Sequence, residues 1–224
     1  MEITPIAYIH TEFSEKFGIP RQSGLAANLR GKIVFDKEYR DPEALRGLDS
    51  FTHIWLIWEF SANRGGRSWQ PTVRPPRLGG NRHMGVFATR SPFRPNPLGL
   101  SCVEIESVDL YSPDGPVIYV RGADLMDSTP IYDIKPYIKY ADSRPESVCG
   151  YVDNLSEGRL QVVVPEEFAP VVLDLDALVE VLSLDPRPSY HEDPQREYGM
   201  TFSGYNVRFR VVDERSTLYV TEIS

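Results

Sequence analysis

The sequence has few of the residues from which common reactive centres are built. Only two cysteines occur, Cys102 and Cys149, far apart and without CxxC spacing. Neither a disulfide framework nor a zinc site is indicated, and both thiols are expected to be reduced and buried. Four histidines, His10, His53, His83 and His191, are scattered without HExxH or HxH spacing, so no two imidazoles are set for one metal. No GxGxxG or GxxxxGK[ST] loop is present, which excludes the usual dinucleotide and phosphate cradles and makes a Rossmann sheet improbable. A GxSxG elbow is also missing, against a hydrolase of that type. No segment approaches the roughly 20 apolar residues of a membrane span, and the first residues have neither a basic n-region nor an apolar h-region. The expectation is a soluble, cytoplasmic protein with no membrane partner.

Acidic residues are absent from one long stretch. The net charge is -8, yet residues 60–103 contain no Asp or Glu and seven arginines: Arg64, Arg67, Arg74, Arg77, Arg82, Arg90 and Arg94. That stretch carries +7 and leaves -15 on the remainder, a segregation that points to an anionic partner at one place. Arginine suits planar, bidentate phosphate contacts. A solvated basic loop that binds nothing is the competing reading.

What is present is ordinary globular material, 41% hydrophobic and 25% charged over 224 residues. That length holds one sizeable core and a smaller second domain. Short runs rich in β-branched and aromatic residues, bounded by turn formers, predict strands at 3–10, 32–35, 53–60, 84–89, 100–110, 117–121 and 160–164. Two more are expected at 205–212 and 217–223. The run His-Ile-Trp-Leu-Ile-Trp-Glu-Phe from His53 is nearly continuous in apolar character and reads as a central strand buried on both faces. One helix is expected over 173–184, where Leu175, Leu178, Val179 and Leu182 recur at helical spacing. The prediction is a mainly β protein: a β-barrel over residues 1–142 and a smaller α+β C-terminal domain over 143–224.

Two segments carry candidate chemistry. Residues 84–101, MGVFATRSPFRPNPLGLS, form a loop stiffened by three prolines that displays Arg90, Arg94 and Asn96 between strands. It reads equally as a site or as protection of a sheet edge. Residues 122–137, GADLMDSTPIYDIKPY, offer Asp124, Asp127 and Asp133 with Lys135 on a turn-rich segment. Such carboxylates can accept from ribose hydroxyls or an ammonium group, or can simply cap Asx turns. Without EF-hand spacing or a partner histidine they do not make a metal site.

These segments, with residues 15–22 (EKFGIPRQ), 51–55 (FTHIW), 71–80 (PTVRPPRLGG) and 185–190 (DPRPSY), resemble in order the TrmO, or TsaA-like, family of tRNA N6-adenosine methyltransferases. The resemblance implies a β-barrel methyltransferase that acts as a homodimer, uses S-adenosylmethionine, and has a C-terminal domain that helps to hold tRNA. The acceptor it implies is N6-threonylcarbamoyladenosine immediately 3′ of the anticodon, in the anticodon stem-loop. Its donor-binding positions correspond to Pro20, Arg21, Gln22, Arg90, Leu100, Asp124, Leu125, Met126 and Asp127. Ser61 and Ala62 stand where the bacterial pattern has His-Gln, which leaves backbone contacts to the donor at that place. Asp133 or Tyr137 is expected to accept or relay the acceptor's proton. Arg67, Arg74, Arg77, Arg82 and Arg94 are expected on phosphates, and Trp69 and Phe93 on an unpaired base. The alternatives are a non-catalytic RNA-binding barrel and an enzyme that methylates a small molecule.

Overall fold

The computed structural model describes residues 2–63, 69–78, 82–155, 158–188, 193, 195–212 and 216–224. Six strands close a barrel: β1 (Ala7–Thr11), β2 (Arg30–Phe35), β3 (His53–Glu59), β6 (Leu98–Asp109), β7 (Val117–Arg121) and β8 (Thr129–Pro136). Their order around it is β1-β2-β7-β6-β3-β8, every neighbour pair is antiparallel, and β8 returns to β1. Two short strands, β4 (Thr72–Val73) and β5 (Met84–Gly85), pair separately on the chain between β3 and β6.

Alternation builds the barrel core. Ala7 and Ile9 from β1, Ile33 from β2, Ile54 and Leu56 from β3, Val103 from β6, Ile118 and Val120 from β7, and Ile131 from β8 point inward and are almost wholly buried. The residues between them point out, as the period of two requires. Strand β3 departs from its expected burial on both faces. Ile54, Leu56 and Trp58 are buried, whereas His53, Trp55, Ile57 and Glu59 are only half-buried on the outside. An outer layer explains their apolar character: the Trp55 ring lies 6.0 Å from that of Tyr137, and its Nε1 donates to Asp142 in the short helix α1 (Lys139–Asp142).

Three other expectations need correction. Residues 84–89 are not one strand: β5 ends at Gly85 and a 3-10 turn follows over Val86–Ala88. That turn is closed by Thr89, whose N–H and hydroxyl both donate to the Val86 carbonyl. Residues 122–137 read as a turn-rich segment, yet 129–136 form β8, paired on both edges, so Asp133 lies within a strand. Cys149 is exposed and Cys102 only partly covered.

The C-terminal unit is an α+β layer. β9 (Gln161–Val163) runs parallel to β12 (Thr217–Ile223) at the edge of a four-stranded sheet ordered β10-β11-β12-β9, with β10 at Tyr198–Phe202 and β11 at Tyr205–Val212. β10 falls in a stretch that reads as polar in the sequence. Helix α2 (Leu175–Ser183) starts where the Asp174 carboxylate accepts from the Ala177 N–H, and buries Ala177, Leu178, Val181 and Leu182.

This second core is not made by C-terminal residues alone. Phe13, Ala26 and Leu29, all from the β1–β2 connection, are buried in it, and Phe13 meets Phe202 edge-on at 5.7 Å. Gly18 in the same connection has φ +94°, and a Cβ there would lie 2.4 Å from the end of Met200, so only glycine makes this close approach without displacement. Polar ties run in parallel. The Asn28 N–H donates to Glu180, Arg159 to the Leu25 carbonyl, and the Thr201 N–H to Glu15.

Candidate active site

One end of the barrel opens into a cavity of about 430 Å³. It is bounded by the ends of β3 and β6 (Trp58, Glu59, Leu98, Gly99, Leu100), the β1–β2 connection (Lys16, Ile19, Pro20, Arg21, Gln22), the turn after β3 (Phe60 to Asn63), the proline-stiffened loop (Thr89, Arg90, Pro92, Arg94) and the chain leading into β8 (Asp124, Met126, Thr129). Sites at the open end of a barrel draw on several connections at once, and this one draws on four together with the ends of two strands.

The floor is set by strand register. Trp58 pairs with Gly99 across β3 and β6, and a Cβ on Gly99 would lie 2.3 Å from the indole. Gly99 therefore lets the ring lie flat, where it meets Phe60 at 4.4 Å between centroids. The indole Nε1 donates to Ser101 Oγ at 2.9 Å, and the Ser101 hydroxyl donates to Asp124 Oδ1 at 2.5 Å. Because the indole can only donate, it fixes the direction of this chain, and the carboxylate receives the last proton donor. Burial pushes the Asp124 carboxyl above the usual carboxylate range; the Ser101 hydrogen bond, Asp124's own backbone N–H and the charge of Arg90 pull the other way.

Cationic side chains border the same cavity. Arg90 donates to the Gln22 side-chain oxygen, Gln22 in turn donates to the Arg21 carbonyl, and Arg21 donates to the Asp185 carbonyl at 3.2 Å. Asp185 is itself clamped by the buried Arg187 through two contacts of 2.8 and 2.9 Å. Lys16 donates to the Ala62 carbonyl at 2.9 Å and to the Asn63 side chain, which joins the β1–β2 connection to the turn after β3.

The structure thus brings Pro20, Arg21, Gln22, Ser61, Ala62, Arg90, Leu100, Asp124 and Met126 to one cavity. Leu125 lies instead in the barrel core. Asp127 is turned toward β1, accepting from Ser128 Oγ and the Thr11 N–H and meeting His10 Nδ1. Burial alone would raise its carboxyl, but these three contacts outweigh it and hold the group below the usual range. Asp133 and Tyr137 do not border the cavity. Asp133 pairs with Lys135 at 2.8 Å, and Tyr137 packs on His53 and Trp55 at the opposite end of β3. Of the residues expected on RNA, Arg94 borders the cavity, Arg74 donates to His83 at 2.9 Å, and Trp69, Arg82 and Phe93 are exposed. Arg67 and the side chain of Arg77 lie outside the described residues, as do Ser189 and Tyr190 of the DPRPSY motif.

Comparison with known proteins identifies the frame. Residues 8–143 match the model of the tRNA-methyltransferase O N-terminal domain, and residues 164–224 that of the TrmO C-terminal domain. The chain belongs to the TrmO family. Within it, the tRNA (adenine(37)-N6)-methyltransferase of Escherichia coli (strain K12) is 38% identical over 227 residues, covering 97% of this chain and 96% of that one. A probable S-adenosyl-L-methionine-binding protein of Pyrococcus abyssi is 34% identical over 149 residues, 66% of this chain and 74% of the other. The crystal structure of TrmO from Pseudomonas aeruginosa superposes with a TM-score of 0.79 at 28% identity, covering all of this chain and 98% of that one. Of the residues bordering the cavity, Trp58, Glu59, Phe60 and Asn63 stand in none of the motif segments, and Lys16 lies within one without being singled out. Trp58 and Ser101 converge through strand pairing, and the one visible sign of it is a glycine, Gly99, inside an otherwise β-forming run.

Among the described residues, no helix is long and apolar enough to cross a membrane, and no cluster of three His, Cys, Asp or Glu side chains is arranged to hold a metal.

Proposed function

We propose that this protein transfers the methyl group of S-adenosylmethionine to N6 of adenine 37 in tRNA, and that the acceptor is the N6-threonylcarbamoyl form of that adenosine. The observation that carries the reading is a buried carboxylate, Asp124, under the charge of Arg90, in a cavity floored by aromatic rings and bordered also by Arg21. This donor set fits the methionine-derived nucleoside. Arg90 and Arg21 would take its carboxylate, Asp124 its ammonium or ribose hydroxyls, and Trp58, Phe60 and Leu100 its adenine.

When bound, that cofactor supplies an electrophilic methyl group: the new N6–C bond forms as the C–S bond breaks, and N6 gives up its proton. Such a displacement depends on alignment and exclusion of water more than on a strong nucleophile. The protein's part is therefore positional. The Trp58–Ser101–Asp124 chain fixes one end of the cavity, and the Arg90–Gln22–Arg21 chain the other. Asp133 and Tyr137 border no part of the cavity, and Tyr137 lies at the opposite end of β3, so neither is placed to accept the N6 proton. For Asp133→Asn with Tyr137→Phe we expect unchanged donor affinity and an unchanged single-turnover rate. A fall in that rate would return the proton transfer to these two residues.

We also propose that residues 1–142 bind the donor while residues 143–224 support the tRNA, and that the protein acts in the cytoplasm as a homodimer, with both basic stretches meeting one tRNA. The segregation of seven arginines into residues 60–103 supports the meeting of that stretch with an anionic RNA. Sedimentation of the active species tests the dimer, and a fully active monomer would refute it.

The decisive experiment supplies labelled methyl donor with two tRNA preparations, one carrying threonylcarbamoyladenosine and one made without it. Label in the first alone is expected. Label in neither, with no donor binding by calorimetry, would leave the RNA-binding barrel as the reading.

A further inference from the structure

The 3-10 turn Val86–Ala88 is pinned at both ends and exposes its middle residue. Val86 is buried, its N–H donates to the Pro71 carbonyl at 2.9 Å, and its carbonyl accepts from both the N–H and the hydroxyl of Thr89. Phe87 between them is 72% exposed. A single exposed ring is ordinary on a protein surface; Phe87 is set apart by the aromatic and cationic groups gathered beside it.

Its neighbours indicate the chemistry of a partner. The half-exposed Trp69 ring lies nearly parallel to Phe87, 25° between planes and 6.5 Å between centroids. The Arg94 guanidinium lies 5.9 Å from the Phe87 centroid and is held by the Thr89 carbonyl at 2.8 Å. Arg94 also borders the cavity, so the aromatic pair adjoins its mouth. Arg74 and Arg82 lie on the same excursion of chain, which carries no acidic residue. Two exposed π faces, a fixed guanidinium and surrounding positive charge are what an unstacked nucleobase on a phosphate backbone requires.

We propose that Phe87, supported by Trp69 and Arg94, is the platform on which the acceptor adenine of the anticodon loop is laid, with its N6 edge turned toward the cavity. This rests on the tRNA methyltransfer reading above. The donor occupies the cavity, so the acceptor base must lie at its mouth. A base turned out of the loop to present N6 loses its neighbours and needs a replacement stacking surface. Phe87 supplies that surface beside the residue, Arg94, that joins it to the cavity.

The test is a cycle between one side chain and one base. Wild type, Phe87→Ala and Phe87→Trp are each titrated with two anticodon stem-loops, one with threonylcarbamoyladenosine at position 37 and one abasic there. Wild type is expected to prefer the complete RNA by about 10- to 100-fold, the range given by one base–aromatic stack. In Phe87→Ala that preference collapses, Phe87→Trp restores it, and donor affinity is the same in all three. If Phe87→Ala weakens both RNAs equally, the ring contacts another nucleotide or only holds its turn, and the proposal falls. It falls also if neither RNA is affected. Methyl transfer by the wild type to full tRNA is run alongside. Its absence would overturn the functional reading itself, whereas its presence with no Phe87 effect overturns the platform alone.

Discussion

Ser101 is the residue on which the charge state of the cavity turns. Its hydroxyl is the side-chain donor to Asp124, and hydrogen bonds to charged groups contribute about 1.5–3 kcal/mol. Ser101→Ala should therefore weaken donor binding about tenfold or more, read by calorimetry, and should leave the Trp58 Nε1 without its acceptor. The pH dependence follows from the raised carboxyl of Asp124. With the folded pKa above the unfolded one, the native state keeps a proton that the unfolded chain has released, so this group's contribution to stability falls as pH rises through that window. Donor affinity has the opposite sign. A ligand cation or hydroxyl on Asp124 favours the ionised form, so binding is full above the window and is lost as pH falls through it. Titration downward from neutral pH should show that loss, Ser101→Ala should move it to higher pH, and Asp124→Asn should flatten it.

Among elements, the β3–β6 pair determines whether a cavity exists. Gly99→Ala forces a methyl group into the Trp58 indole, and over-packing of this kind costs about 1–3 kcal/mol. We expect a lower Tm by calorimetry together with lost donor binding, because the displaced ring is the cavity floor. Legibility in the sequence differed between elements for reasons visible in these same strands. β1, β2 and β11 are readable because their inward positions alternate with outward ones, and β7 because it is a short β-branched run between turn formers. β3 stands where the sequence puts it, but its outer face is only half-buried, and what covers Trp55 there, Tyr137 and α1, comes from far along the chain. β8 was missed because Pro130, Pro136, Asp133 and Lys135 favour turns locally, while β1 and β3 on either side hold the segment extended. The same limit applied to the site. Motif segments pointed to Arg21, Gln22, Arg90 and Asp124, whereas Trp58 stands outside every segment and meets Asp124, through Ser101, by a strand register that one sequence does not print.

For the whole molecule, charge and core are distributed differently from the domain order of the chain. Arg74→Ala with Arg82→Ala should lower the slope of log affinity for tRNA against log salt by about two, with little change in donor binding. An unchanged slope would take this excursion off the RNA face. A barrel truncated after residue 142 should fail as an independent protein. It would strip the cover from Phe13, Ala26 and Leu29 and free the segment that carries Pro20, Arg21 and Gln22. We expect aggregation and no donor binding, measured by light scattering and calorimetry.

The β1–β2 connection, with one face in the C-terminal core and the other in the cavity, makes the nucleoside a remote brace. Occupancy of the cavity restrains residues 16–22, and any ligand that binds only the native arrangement deepens the free-energy well of everything folded with it. Amide hydrogens in β10, β11 and β12, which border no part of the cavity, should therefore exchange more slowly once the donor is added. In the cell, the abundance of the methyl donor would then govern how long this chain survives proteolysis as well as how fast it works.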